Sequence, residues 1–507
     1  MVPEIGKFNA LGKPDTLYPC GKPDGYNILH AAQWPWFLSQ VAIMHEEFVT
    51  LRGRVIYLTK VFQSRCRRLV YHLLLVDDCD EYEQQKEIMA AQYLTPTPPP
   101  TEEGGFSDRL PLLHRHGQRG ATFARTCFNA TNALSGIGVL SIPYALAQGG
   151  WMSLALFFWV ATVCYYTGLL LQRCMDADPN IRSYPDIGDF AFGYKGRMTV
   201  AVFMYLELYL IAVSFLILEG DNLDKLFPNT ELKLPYLQIK GKQLFLLLSA
   251  ILIMPTTWLR NLNGLAYISA GGVVASAVLL GSVLWIGVND VGFQKKGRVI
   301  NFSGLPTALG LFCVCFTSHA VFPTIHASMR ERSKFSKVLL ISFSICVLNY
   351  GAMTVLGFLM YGEDLKSQVT LNLPIESIGS TIAICTTLIN PFAKYALTIT
   401  PIALAIEEWL MFSCKRSYSI LVKTLLLIST VIVALSIPFF AFLMAFIGSF
   451  LSIMVSVLLP CIFYLKIYRV SQRNRFEFTI VVGIIVSGVL VSMVGTYSSV
   501  EQIIFSL

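Results

Sequence analysis

Charged side chains are scarce in this chain. Only 14% of its 507 residues are Asp, Glu, Lys or Arg, whereas 54% are hydrophobic and the mean hydropathy is +0.58. So small a polar fraction cannot cover the surface of a soluble protein of this length. The composition therefore predicts an integral membrane protein in contact with a lipid bilayer.

Motifs for nucleotide-dependent and metal-dependent chemistry are missing as well. No glycine-rich loop ends in Lys-Ser or Lys-Thr, no His/Cys cluster has the spacing of a zinc site, and no nucleophile–base pair is evident. We therefore expect neither an ATP-driven pump nor an enzyme, and neither a cofactor nor a metal. The formal charge of +7 does not indicate nucleic-acid binding, because membrane proteins acquire basic residues through their orientation.

The first 120 residues differ from the rest. No early apolar core precedes a small-residue cleavage site, so insertion has to rely on internal segments. We predict an N-terminal cytoplasmic region of unknown fold over 1–94, a disordered Thr- and Pro-rich linker over 95–120, and a transmembrane domain over 121–507. Within the linker, Asp108, Leu112 and Leu113 fit an acidic dileucine pattern that a sorting adaptor would bind.

Beyond the linker, eleven apolar segments approach the roughly 20 residues that cross a hydrocarbon core. They lie near 122–147, 150–175, 198–220, 242–259, 263–288, 304–328, 335–361, 379–410, 418–437, 440–466 and 476–498. The split near Pro438 is the least marked, and merging its two spans would give ten. One set of connections has twice as many Lys and Arg residues as the alternate set, which predicts a cytoplasmic N-terminus.

Span one is interrupted between Asn132 and Pro143 by Gly136 and Gly138. A helix in hydrocarbon has to satisfy its own backbone groups, so such a break is typical of a cavity where a ligand uses the freed groups. We predict that the backbone of Ser135–Gly138 binds substrate. The alternative is that both glycines only permit close helix packing.

Span six has a second interruption, in which Thr317, Ser318 and His319 precede Pro323. Broken helices in corresponding positions of two halves are typical of inverted repeats with the substrate at their interface. We therefore predict an all-α membrane fold with a 5+5 inverted-repeat, APC/LeuT-like core plus one extra helix, and we assign these three polar residues to the substrate site. A zwitterion suits it, because helix N-termini attract carboxylates and exposed carbonyls attract ammonium groups.

Ionisable residues inside spans are costly and often mark a pathway. On span eight, Thr386, Asn390 and Lys394 recur every four residues and form one polar stripe. Lys394 either exchanges the coupled proton or tethers the carbonyls of broken span one, and the sequence does not decide between the two. His319 is the next proton candidate, its alternative being a neutral structural histidine. For the pocket walls, Tyr205, Tyr209 and Phe316 are candidates with an equally reasonable packing role.

Four segments resemble the amino acid/auxin permease family, and in particular its plant vacuolar branch, which is related to vesicular inhibitory amino-acid transporters. They are Phe128–Trp151, Arg182–Gly193, Leu216–Leu223 and Asn390–Lys394. The resemblance covers about residues 120 to 505. It implies an eleven-span, two-repeat fold and proton-coupled movement of amino acids across an organelle membrane. The alternatives are a plasma-membrane amino-acid or auxin symporter, and a sensor that binds amino acids with little transport.

Overall fold

The structure is a computed structural model that describes residues 121–234, 237–239, 241–259, 271–293, 297–410, 416–468 and 475–506. The predicted N-terminal region, the linker and the Asp108–Leu113 motif lie outside the described residues. Nearly all of the described chain is helical. Its α-helices are α1 (Phe123–Leu134), α2 (Gly138–Gly149), α3 (Ser153–Asp176), α4 (Tyr184–Phe192), α5 (Tyr194–Leu226), α6 (Gly241–Thr257), α7 (Gly272–Ile286), α8 (Leu305–Cys315), α9 (Phe322–Ser328), α10 (Phe335–Tyr361), α11 (Ile378–Trp409), α12 (Arg416–Ser436), α13 (Phe440–Phe446), α14 (Leu459–Ile467) and α15 (Arg475–Ser506).

The predicted spans correspond closely to these helices. Among the described residues, nine helical segments are long and apolar enough to cross a membrane, and the bent pair α1 and α2 makes a tenth. Each predicted span overlaps one of the helices, but α6 has only 17 residues, so the count of eleven crossings stays a prediction. Because α12 ends at Ser436 and α13 begins at Phe440, spans nine and ten are separate helices at Pro438.

One small β-hairpin departs from the all-α prediction. Strands β1 (Leu232–Leu234) and β2 (Leu237–Ile239) pair antiparallel between spans three and four, with Leu232 opposite Ile239. The hairpin lies in a connection, and a connection in water has no need to satisfy its backbone groups within a helix.

Both predicted breaks are present. Span one bends by 51° between α1 and α2. Span six consists of α8, a non-helical stretch at Phe316–Ser318, a 3₁₀ turn at His319–Val321 and α9, which has Pro323 in its first turn. Span ten is irregular too, because π-helical stretches at Ile447–Ser452 and Met454–Leu458 separate α13 from α14.

Span ten crosses α8 at very short range. A Cβ atom on Gly448 would lie 3.1 Å from the amide nitrogen of Val314, and one on Gly310 would lie 3.1 Å from the Cα atom of Ala445. Glycine at both positions therefore lets the two backbones touch, as small residues do in membrane helix packing. Next to this crossing, Phe157 of span two packs against Phe312 and Phe316, with ring centroids 5.6 Å and 5.3 Å away.

Candidate functional site

The break in span one leaves a row of carbonyl groups without helical partners. Helix α1 ends at Leu134, so the carbonyls of its last turn have no amide of the same helix to accept from. In the structure, four consecutive carbonyls accept hydrogen bonds from side chains of three other spans. Lys394 Nζ of span eight donates to Ser135 (2.7 Å) and Asn132 (3.5 Å), Ser318 Oγ of span six donates to Ala133 (2.9 Å), and Tyr350 Oη of span seven donates to Leu134 (2.7 Å).

Lys394 is the only cation in that set of donors. The C-terminal end of a helix carries a partial negative charge, so an ammonium group is stabilised at the end of α1. Among the described residues, no carboxylate forms an ion pair with Lys394. Among the described groups, the backbone carbonyls of the broken helix therefore stabilise the charge of Lys394. This position fits both predicted roles of Lys394, which are exchange of the coupled proton and tethering of these carbonyls.

The other two residues of the span-eight stripe lie on the same half-buried face as Lys394. A Cβ atom on Gly272 of span five would lie 2.9 Å from Asn390 Oδ1 and 3.1 Å from Asn132 Oδ1. Asn390 thus lies where spans one, five and eight meet. Thr386 is one turn farther from α1, and the described structure gives it no hydrogen bond to that helix.

A second polar stripe, on span seven, was missed by the sequence reasoning. Ser342, Cys346 and Tyr350 recur every four residues on α10 and face α1. Thr131 Oγ1 donates to Ser342 Oγ at 3.2 Å, and Cys346 Sγ lies 3.9 Å from the Thr131 carbonyl oxygen. The spacing equals that of the span-eight stripe, so the same periodicity search would have found it. Its residues are uncharged, however, so the cost of burying a charge does not mark them in the sequence.

Tyr350 contacts both sides of the break in span one. Its hydroxyl accepts a hydrogen bond from the Gly136 amide at 3.1 Å while it donates to the Leu134 carbonyl. The Gly136 amide, which the sequence assigned to substrate, is thus already engaged. The next available amides belong to the start of α2, where Ile137 is the N-cap residue and no side chain caps the helix. A helix start of this kind attracts anions.

Gly136 and Gly138 have different surroundings. Gly136 is exposed, and a Cβ atom placed on it would meet only neighbouring backbone atoms at 4.0 Å. A Cβ atom on Gly138 would lie 2.6 Å from Cys315 Sγ of α8. Gly136 therefore faces open space, whereas Gly138 lets α2 pack against α8.

The polar residues of broken span six point in different directions. Ser318 binds the Ala133 carbonyl, and half-buried Thr317 donates to the Cys313 carbonyl of its own helix at 3.0 Å. His319 is fully buried against span two, with Nε2 3.1 Å from the Cys164 carbonyl oxygen and 3.0 Å from Thr167 Oγ1. Because a carbonyl only accepts, Nε2 carries the proton. A substrate role for His319 stays a prediction, since its described hydrogen bonds join it to span two.

Comparison with known proteins identifies the family. Residues 119–501 match the family described as Transmembrane amino acid transporter protein. The chain belongs to this family. Two relatives from Arabidopsis thaliana, named amino acid transporters AVT1I and AVT1J, are each 48% identical over 78% of this chain, and the alignments cover 98% and 95% of their own lengths. A vesicular GABA transporter of Caenorhabditis elegans is 26% identical over 75% of this chain and 79% of its own.

A solved structure confirms the fold class. The crystal structure of MhsT in complex with L-phenylalanine matches with a TM-score of 0.52 at 11% sequence identity, over 74% of this chain and 98% of that chain. At such low identity the similarity shows the fold alone, which is the predicted APC/LeuT-like arrangement of this transmembrane amino acid transporter. The relatives are named as transporters. Among the described residues, no group of three His, Cys, Asp or Glu side chains could hold a metal ion.

The aromatic residues expected to line the pocket of this transporter also have packing partners. Phe316 is fully buried, and its ring centroid lies 6.1 Å from that of Phe343 and 5.9 Å from that of Tyr350. Tyr209 is half-buried and donates from its hydroxyl to Ser429 Oγ of span nine at 3.1 Å. These contacts fit the packing role; contact with substrate stays a prediction for Tyr205, Tyr209 and Phe316.

Proposed function

We propose that the protein is a proton-coupled secondary active transporter that moves amino acids across the vacuolar membrane by alternating access. The observation that carries the proposal is the position of Lys394, whose ammonium group binds the carbonyls of Ser135 and Asn132 at the break in span one. Lys394 is titratable and holds the broken helix beside the substrate site. Loss or gain of its proton therefore acts directly on that site.

The substrate site lies between the two breaks. The start of α2 at Ile137 and Gly138 attracts the substrate carboxylate, because its first amides have no intrahelical carbonyl. The carboxyl end of α8, at the break around Phe316 and Thr317, carries a partial negative charge and attracts the substrate ammonium group. Backbone groups of this kind recognise the carboxylate and ammonium groups that all amino acids share. Selectivity for the amino-acid side chain therefore depends on the residues that line the pocket.

Coupling follows from the dual use of Lys394. Burial disfavours a charged ammonium group, and the carbonyls of α1 stabilise it. If the proton leaves, α1 loses its cationic partner and becomes free to move relative to span eight. Substrate that holds α1 and α2 in one arrangement then changes the affinity of Lys394 for the proton, and proton binding changes the affinity for substrate equally.

The vacuolar location rests on the resemblance of the sequence to the plant vacuolar branch of the family. The bias of Lys and Arg between alternate connections supports a cytoplasmic N-terminus, with the segment that contains Asp108, Leu112 and Leu113 available to a sorting adaptor. One of the relatives is itself named a vesicular transporter, which agrees with an organelle membrane.

Uptake by purified protein in proteoliposomes tests the proposal. An imposed pH difference should drive accumulation of several amino acids from a labelled panel above their external concentration, with choline in place of sodium. Dissipating the pH difference with a protonophore should abolish the accumulation. A protein that binds amino acids without flux is a sensor, and one that prefers the indole acid is an auxin carrier; either result rejects the proposal.

A further inference from the structure

A carboxyl group in the middle of span three has no counter-ion among the described residues. Glu207 of α5 is 4% exposed, and Ser452 Oγ of span ten donates a hydrogen bond to its Oε1 atom at 2.7 Å. Among the described residues, no Lys, Arg or His forms an ion pair or hydrogen bond with Glu207. An ionised carboxylate with one hydroxyl partner is costly to bury in a membrane protein, whereas the neutral acid is tolerated.

The partner of Glu207 lies in the irregular part of span ten. Ser452 ends the first π-helical stretch, Ile447–Ser452, and the second begins at Met454. Such stretches are rare and often occur at functional sites. The carbonyl of Val455, in the second stretch, accepts a hydrogen bond from Tyr184 Oη at 2.6 Å. Span ten is thus joined to its neighbours by two polar contacts where its helix is least regular.

The same part of span ten touches broken span six. Gly448 lies in the first π-helical stretch, and its backbone packs against Gly310 and Val314 of α8, just before the break at Phe316. A shift of span ten relative to span three would therefore be transmitted to the helix whose carboxyl end borders the substrate site. Contiguous packing thus runs from Glu207 through span ten to the helix that borders that site.

The described neighbours of Glu207 named here are uncharged or neutral. One turn to either side on α5 lie Phe203 and Ile211, and from span ten comes the Ser452 hydroxyl. The phenol of Tyr184 on α4 interacts electrostatically with Glu207 and donates a hydrogen bond to the Val455 carbonyl. The ionised form of Glu207 gains stability only when water or a cation reaches it, which requires spans three and ten to separate.

We propose that Glu207 is a second proton-binding site of this transporter, neutral while spans three and ten are packed together and ionised when they separate. Ser452 donates to the carbonyl oxygen of the acid, and the other carboxyl oxygen keeps the proton. By reciprocity, the pH on the side where the spans separate biases the conformation of span ten. The inference rests on the proposed proton coupling and adds a site to it, apart from Lys394.

The test measures protons and amino acid together. Proteoliposomes loaded with a pH-sensitive dye report proton movement on addition of labelled substrate. Glu207→Gln, which keeps a hydrogen-bonding head without an exchangeable acid, should lower the ratio of protons to amino acid while exchange at equal pH continues. Glu207→Asp should restore the ratio. Glu219→Gln tests specificity, because Glu219 is another fully buried acid of α5 whose two oxygens have no hydrogen-bond partner among the described residues. The ratio should stay unchanged in this variant, and an equal fall in both variants would show that Glu207 is not a specific proton site.

The outcomes separate the two proposals. If the unmodified protein moves no protons with substrate, the proposed coupling itself fails. If it does, and Glu207→Gln leaves the ratio unchanged, Glu207 is not a proton site. Should Glu207→Gln fail to reach the membrane, Ser452→Ala replaces it: a shifted pH profile of transport with an unchanged ratio supports the inference, and an unshifted profile overturns it.

Discussion

The Nζ atom of Lys394 lies 2.7 Å from the carbonyl oxygen of Ser135, the residue at which the first half of span one ends. A side chain of span eight thus donates to a carbonyl group that has no partner within its own helix. The same helix end receives Ser318 from span six and Tyr350 from span seven. Substitutions at these donors should show which of them only stabilise the end of α1 and which also couple transport to protons.

Replacing Lys394 with Gln should abolish accumulation against a gradient. Gln keeps a hydrogen-bonding head near the Ser135 carbonyl but carries no exchangeable charge, so counterflow exchange at equal pH should persist. Uptake driven by a pH difference, compared with counterflow in the same proteoliposomes, checks this. Lys423→Gln is the control, because Lys423 is a buried lysine of span nine with no described hydrogen bond to α1. Continued accumulation by Lys394→Gln would remove Lys394 as the coupling residue and make His319 the next candidate.

The two glycines of span one should respond differently to alanine. Gly136→Ala places a methyl group in open space, so membrane abundance should stay normal while the Michaelis constant for substrate rises. Gly138→Ala forces a methyl group to within 2.6 Å of Cys315 Sγ, and overpacking of this kind costs about 1–3 kcal/mol. We therefore expect lower abundance and a lower melting temperature for Gly138→Ala.

A second substitution tests whether contact with Cys315 causes the loss of stability in Gly138→Ala. Adding Cys315→Ala to Gly138→Ala removes the clashing sulfur and should restore part of the lost melting temperature. If the double variant is no more stable than Gly138→Ala alone, contact with Cys315 is not the reason for the glycine.

Tyr350→Phe should destabilise the protein and impair transport. It removes the hydroxyl that bonds both the Gly136 amide and the Leu134 carbonyl, and the loss of one intramolecular hydrogen bond costs about 0.5–1.5 kcal/mol. Thermal unfolding in detergent and uptake in proteoliposomes measure the two effects. Tyr361→Phe is the matched control on the same helix, since the buried Tyr361 hydroxyl has no hydrogen-bond partner in the described part of the chain. Equal stability of the two variants would contradict the role assigned to Tyr350.

The acidic dileucine pattern predicts a change of location. Replacing Leu112 and Leu113 with Ala should remove a fluorescent fusion from the vacuolar membrane, because a sorting adaptor would lose its two apolar contacts. Confocal imaging checks this, with Leu110→Ala as the control inside the same segment. Vacuolar fluorescence that persists after both replacements would show that the pattern does not direct sorting.

The sequence alone determined the helical spans, the two breaks and the polar stripe of span eight. Each depends on residues that are close along the chain: the length of an apolar run, Gly and Pro inside it, or a repeat of four residues. For the same reason it predicted Lys394 and Ser318 as site residues, since charged and hydroxyl side chains at membrane depth stand out from their neighbours.

Only the tertiary structure decided what these residues touch. Tyr350 and Gly136 are 214 positions apart, and Lys394 and Ser135 are 259 apart, so no local pattern indicates either contact. The direction of His319 toward span two, the packing of Gly138 against Cys315 and the contact of Glu207 with Ser452 likewise depend on which helix faces meet. Local hydropathy and periodicity determine where a helix forms and breaks, whereas packing between distant helices determines which partner satisfies each freed polar group.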